Sequence, residues 1–168
     1  MISYLPRDRK ILAVTGAFAG YTAVMAVLES RMRATGGPGI IPFELAGSAF
    51  RAEQIMAQWG PDGERAARVS MWLDFGYMTT YGALTALLIE RARRRRRHPR
   101  SLTSVAILAV AGDAVEGVSL LKVLDRKNVD SYARLARAAA LVKFAALTGA
   151  LGYVVSEAAS PLFGSRVR

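Results

Sequence analysis

The stretch ILAVTGAFAGYTAVMAVL, residues 11–28, contains no charged side chain. As an α-helix rising about 1.5 Å per residue, it can nearly cross a bilayer hydrocarbon core of about 30 Å. Glu29, Ser30 and Arg31 follow it, whereas a signal peptide would carry small residues for cleavage at that point. The pattern therefore predicts an uncleaved first transmembrane span.

Three later stretches are also long and mainly apolar, and turn sequences containing proline, glycine or aspartate precede them. We predict that each is a further transmembrane helix. The chain, residues 1–168, is then a single all-α membrane domain, a four-transmembrane-helix bundle. The predicted spans are 11–28, 69–89, 101–121 and 138–156.

Charge and composition support the same class of protein. The chain combines 52% hydrophobic residues with a formal net charge of +10, and the charge lies in short blocks between apolar runs. We therefore expect a lipid bilayer and not nucleic acid as the partner of the basic residues. The chain has no cysteine, and it shows no metal-ligand spacing or phosphate-binding glycine loop, so no cofactor or metal is predicted.

The run RARRRRRHPR at residues 91–100 sets the predicted orientation, because cytoplasmic loops of membrane proteins are enriched in Lys and Arg. It places this loop and both chain ends in the cytoplasm, with Arg166 and Arg168 at the C-terminal end, and the protein in the cytoplasmic (inner) membrane. The run either binds anionic lipid headgroups or acts as a topology signal alone. The candidate headgroup ligands are Arg93, Arg94, Arg95, Arg96 and Arg97.

Residues 43–59, FELAGSAFRAEQIMAQW, have apolar side chains at helical spacing and polar ones, including Glu44, on the opposite side. This predicts an extra amphipathic helix between the first two spans. It would lie on the outer membrane surface with Trp59 at the level of the headgroups, or pack over the bundle as a lid.

Four ionisable residues fall inside predicted spans: Asp74, Asp113, Glu116 and Lys143. Each would cost at least about 2.5 kcal/mol if it faced lipid, so all four should face the bundle interior. Helix rise places three of them about 8 Å below the outer boundary and Asp113 about 12 Å below it. On the second span, two tyrosines share the face of Asp74 and add hydroxyls: Tyr77 and Tyr81.

Three acids and one lysine leave an excess of two negative charges, which protonation, a cation or a cationic ligand must remove. The cluster could therefore bind a cation, a proton or a small amphiphile. Two alternatives remain. The protein could be a membrane enzyme with isomerase-like acid–base chemistry on a lipid-like substrate, or an accessory subunit whose charges only position helices against each other, against a membrane-protein partner or in a homo-oligomer.

The segments FELAGS (43–48), WLDFGYMTTYG (72–82) and AGDAVEG (111–117), with a lysine in the last span, resemble a family of small four-span bacterial membrane proteins. The resemblance covers most of the chain and implies the fold without an activity. The chain departs from it near Gly117, where asparagine is expected. A fainter architectural likeness is to the EXPERA group, which includes the sterol isomerase and sigma-2 receptor proteins, and no residue role follows from it.

Overall fold

The computed structural model describes residues 5–163, with side chains for residues 9–159, and Arg166 and Arg168 lie outside the described residues. Throughout the described range the secondary structure is helical, which confirms the all-α prediction. A short 3₁₀ turn, Arg100–Thr103, precedes α4. The five helices are α1 Leu5–Ala34, α2 Ile40–Glu44, α3 Ala49–Arg96, α4 Ser104–Leu124 and α5 Val129–Phe163.

Helices α1, α3, α4 and α5 form the bundle. The hydroxyl of Tyr77 lies 3.2 Å from Thr22 Oγ1, whereas the earlier α3 residue Ser70 donates to Met25 Sδ. Because later residues of α1 meet earlier residues of α3, the two helices are antiparallel. Short connections then make α4 antiparallel to α3 and α5 antiparallel to α4. We call the end with α2 and the 125–128 loop the α2 end, and the end with residues 91–100 the arginine end.

Three helical segments are long and apolar enough to cross a membrane: Arg9–Ala34, Arg100–Leu124 and Val129–Ala159. Large apolar side chains such as Leu12 and Ile107 point outward on them, as on lipid-facing helices. These helices are consistent with a multi-pass membrane protein. The predicted span 69–89 is not among them, because Asp74 and several tyrosines and threonines reduce its mean hydropathy.

The segment 43–59 is not one helix, so the predicted bounds are wrong. Helix α2 ends at Glu44, and α3 begins at Ala49 after the N-cap Ser48, whose hydroxyl accepts from Arg51 N. The break has a local cause, because Gly47 adopts φ +68, a conformation that favours glycine. The helix 49–59 then packs its apolar face on the bundle, like a lid.

The prediction that Trp59 lies at the level of the headgroups is also wrong. Its ring is buried against Phe43, with ring centroids 4.9 Å apart, and its Nε1 donates to Pro38 O at 2.5 Å. The next residue, Gly60, has φ +59 and ψ −170, so α3 bends there before Pro61. Because glycine alone adopts this conformation readily and Pro61 favours a new helix start, the bend is encoded locally.

Small residues bring α4 and α5 close together. A Cβ on Gly112 would lie 3.1 Å from Ala139 O, and Ala109, Ala136 and Ala140 are fully buried. Small side chains at a helix interface let the backbones approach, as is common in membrane proteins. The close approach places the ionisable faces of α4 and α5 opposite each other.

Candidate functional site

Lys143 lies at the centre of a buried charge cluster. Its Nζ is 2.9 Å from Asp113 Oδ1 and 2.7 Å from Glu116 Oε2. Both carboxylates are only 2% exposed. The contact with Asp113 has hydrogen-bond geometry, whereas Glu116 Oε2 makes a charge contact without it. The prediction that at least one carboxylate among Asp74, Asp113 and Glu116 lies within salt-bridge reach of Lys143 is confirmed.

Asp113 joins three helices. Its Oδ1 accepts from Lys143 on α5, and its Oδ2 accepts from the hydroxyl of Tyr81 on α3 at 2.6 Å. Glu116 is three residues further along α4, so both acids project from one face of that helix. This arrangement fixes the relative positions of α3, α4 and α5 and satisfies both oxygens of Asp113.

Glu44 is a fourth acid of the site, and the sequence analysis placed it wrongly on a solvent-facing polar surface. It is buried at 7% exposure, and its Oε2 lies 3.7 Å from Lys143 Nζ. The sequence carried a signal for this position, because Glu44 is flanked by isoleucine, phenylalanine and leucine and by Pro42 and Gly47. Such a context is typical of a short packed segment between breaks and not of a long surface helix.

A hydrogen bond to α1 helps to position α2, and so Glu44. Glu29 Oε2 accepts from the backbone nitrogen of Ile40, the first residue of α2, at 2.8 Å. Arg33 Nε donates to Glu29 Oε1 at 2.7 Å and so orients the carboxylate. A side chain at Gly39 would overlap Glu29. Glu29 therefore contributes to the site through position, a role that the sequence analysis did not assign.

Asp74 is the acid that the cluster leaves without a cation. It is half-buried on α3, and among the described residues no basic group lies within 4.0 Å of its carboxylate. With Asp74 included, four acids surround one lysine, a formal excess of three negative charges (4 − 1 = 3). The excess is larger than the two charges expected from the sequence.

A cavity of about 630 Å³ opens beside the cluster. At its α2 end it is lined by Glu44, Asp74, Asp113 and Lys143. The remainder is lined mainly by apolar and aromatic side chains, together with Thr22, Glu29, Ser70 and Thr85. Helices α1, α3 and α5 form its walls. Since α1 packs against α3 and not extensively against α5, the cavity is open to the side between α1 and α5.

Aromatic rings line the same cavity as Asp74. The ring centroid of Tyr77 is 5.5 Å from that of Phe18 in a stacked arrangement, and 5.8 Å from that of Tyr81 in an edge-on arrangement. All three residues line the cavity. Aromatic faces beside a carboxylate are the surroundings in which proteins bind ammonium groups. The structure thus brings together all six predicted site residues and adds Glu44 and Phe18.

The predicted lipid-headgroup arginines lie at the opposite end, where several have contacts within the protein. Arg93 is 8% exposed and lies 2.5 Å from Glu90, which also pairs with Arg94. These arginines, Arg94 first, hold the pKa of Glu90 below its usual value. Arg95 pairs with Glu157 at 3.0 Å. The run therefore contacts α5 through an ion pair, and headgroup binding stays a prediction.

Further along this run, Arg96 lies over the ring of Tyr153 at 5.4 Å from its centroid. Arg97 is exposed and ends α3 in a left-handed conformation. Its backbone N–H donates to Arg93 O, so the run forms the C-terminal cap of α3. Of the five candidates, Arg94, Arg95 and Arg97 are exposed.

The class of protein that the fold and site define is a helical protein, consistent with multi-pass membrane insertion, with a buried lysine–carboxylate cluster beside a lateral cavity. Comparisons with family models, with curated proteins and with solved structures gave no match. The resemblance to small four-span bacterial membrane proteins therefore stays a prediction. Among the described residues, no group of potential ligands is arranged to hold a metal ion.

Proposed function

We propose that the protein is a four-span membrane protein that binds a small amphiphile through a positively charged headgroup, with Asp74 as the binding carboxylate. The membrane topology rests on α3, whose segment 69–89 contacts α1, α4 and α5. A helix covered by three apolar neighbours can cross a bilayer with fewer apolar side chains of its own, because its polar residues face the interior.

The observation that carries the proposal is the charge balance of the cavity. Lys143 is shared by Glu44, Asp113 and Glu116, whereas Asp74 lines the cavity with no basic group of the described residues within 4.0 Å of its carboxylate. A carboxylate in such surroundings is stabilised by an arriving positive charge. A ligand cation at Asp74 would offset part of the excess that the lysine leaves.

The aromatic and apolar walls favour an organic cation. Phe18, Tyr77 and Tyr81 line the cavity together with Asp74, and an alkylammonium group gains from contact with aromatic rings when it is removed from water. The cavity volume of about 630 Å³ also lies in the range of about 300–1,000 Å³ typical of small-molecule pockets.

Thermal melting in phosphatidylcholine nanodiscs tests the proposal, with dodecyltrimethylammonium as the probe and dodecanol as its uncharged counterpart. At about one hundred times Kd, the probe should raise the Tm by roughly 5–10 °C, because binding to the folded state then contributes about 2.7 kcal/mol. Asp74→Asn should abolish the rise, since it removes the charge and keeps the shape.

Asp62→Asn is the matched control, because Asp62 lies on the same helix with 89% of its side chain exposed and outside the cavity. It should respond to the probe like the parent. An equal rise in the parent and in Asp74→Asn, or an equal rise with dodecanol, would refute the headgroup site. It would then favour a cluster that only positions helices.

A further inference from the structure

The cavity continues away from the charge cluster toward the arginine end, where its lining is mainly apolar and includes Thr85. We propose that this part of the cavity, the apolar arm, holds a single alkyl chain of the ligand and selects the length of that chain. This inference rests on the headgroup site proposed above. The arm is lined from α3 by Leu84 and Leu88 and from α5 by Leu147, Leu151 and Val154.

The length of the arm follows from the helix that lines it. From Lys143 to Val154 on α5 is eleven residues, which at 1.5 Å per residue is about 16 Å along the helix axis. This is the length of an extended alkyl chain of medium length. A ligand with its cation at Asp74 and its chain along α5 would occupy both ends of the cavity.

The volume and the lining select one chain instead of two. A cavity of about 630 Å³ is smaller than a diacyl phospholipid. Its arm is a groove between α3 and α5, in which Leu84, Leu88 and Leu147 are partly buried and Leu151 is exposed. In a bilayer, lipid tails are as apolar as these leucines. Transfer of an alkyl chain from the bilayer into the groove therefore contributes little hydrophobic free energy, and the groove discriminates between chains by how well they pack.

The side opening indicates where the ligand comes from. The α2 end of the cavity is covered by α2, which Glu29 holds through Ile40 N, whereas the gap between α1 and α5 faces the surroundings of the bundle. Thr22 and Ala26 of α1 line the cavity and are exposed along this gap. A chain already in the bilayer can enter sideways through the gap without leaving an apolar environment.

A chain-length series of alkyltrimethylammonium ions, from butyl to hexadecyl, tests the inference in phosphatidylcholine nanodiscs. Affinity is expressed per mole fraction of probe in the bilayer, so that simple partitioning cancels. In the parent it should pass through a maximum near dodecyl. Leu151→Trp, which fills the arm, should reduce dodecyl affinity about tenfold and move the maximum to shorter chains, with butyl affinity unchanged.

Ile107→Trp is the control, because Ile107 is 71% exposed on α4 outside the cavity, while Leu151 is 64% exposed within it. Both tryptophans avoid the packed core, so both variants should fold. An affinity that does not depend on chain length, with Asp74 still required, would overturn the chain inference and leave the headgroup proposal intact. Equal effects of the two tryptophans would also overturn it, and no binding of any member would overturn both.

Discussion

At the scale of single residues, Lys143 supplies the positive charge that the carboxylates of the site share. It contacts Asp113, Glu116 and Glu44 and is itself buried. Removal of a buried charge partner leaves uncompensated carboxylates in a low dielectric, whereas removal of one acid reduces an existing negative excess. The two kinds of substitution should therefore differ strongly in their effect on stability.

Lys143→Met should lower the free energy of unfolding by about 3–5 kcal/mol, the cost of breaking a buried ion pair. Asp113→Asn should cost less, because it keeps the shape and lowers the excess. Lys127→Met is the control, since Lys127 pairs with Asp125 at an exposed position and such pairs contribute about 0–1 kcal/mol. Melting of the purified variants in detergent measures these changes in stability. A Lys143→Met protein as stable as the parent would contradict the claim that the carboxylates share Lys143.

The sequence predicted the residues of the cluster that lie on long helices. Asp74, Glu116 and Lys143 could be placed at one depth, with Asp113 about one turn deeper, because helix rise converts residue number into depth. Glu44 could not be placed in the same way, since it lies on a five-residue helix whose position depends on Glu29 and on a ring contact with Trp59. Tertiary contacts, and not local periodicity, determine its depth.

At the scale of elements, α2 connects α1 to the charge cluster. Gly39, in contact with Glu29, permits the backbone of α2 to approach α1 closely enough for the hydrogen bond to Ile40 N. Gly16, by contrast, has no atom near the position of a Cβ. The two glycines therefore offer a comparison between a glycine required by packing and one that is not.

Gly39→Ala should displace Glu29 and loosen α2, and we expect faster amide hydrogen exchange at residues 40–44 together with weaker probe binding, because Glu44 then loses its fixed position. Gly16→Ala should leave exchange in α2 unchanged and stabilise α1 by about 0.5–1 kcal/mol. Exchange measured by mass spectrometry compares them. Unchanged protection of α2 in Gly39→Ala would show that Glu29 does not hold this helix.

The sequence predicted the long helices better than their connections. Apolar runs indicated α1, α4 and α5, because length and hydropathy decide a membrane span, but α5 begins nine residues before and ends seven residues after the predicted span 138–156. Residues 43–59 read as one amphipathic helix because periodicity counts apolar positions and does not detect a break. The break at Gly47 requires a positive φ, and the side chain of Arg137 of α5 packs against this glycine. The contact between Gly47 and Arg137 cannot be seen in the sequence.

At the scale of the whole molecule, the number of spans decides on which side each loop lies. If α3 crosses the bilayer with α1, α4 and α5, the α2 end and the arginine end lie on opposite sides. If only the three apolar segments cross, Ala34 and Ser101 lie on the same side. Since the chain contains no cysteine, single introduced thiols report the side of each loop without interference.

Ala34→Cys and Lys127→Cys should react with a membrane-impermeant maleimide in intact cells, and Ser101→Cys only after lysis. All three positions are exposed, and the arginine run makes the cytoplasm the expected side for Ser101. Labelling of Ala34→Cys and Ser101→Cys from the same side would rule out the four-span topology.

The most direct test of the central claim is the position of a bound cationic amphiphile. Crystals grown with bromododecyltrimethylammonium, brominated at the end of its chain, should give density for the ammonium group beside Asp74, Tyr77 and Tyr81. An anomalous bromine peak should lie near Leu151 and Val154. Bromine peaks only on the outer faces of the bundle, with an empty cavity at Asp74, would contradict the account.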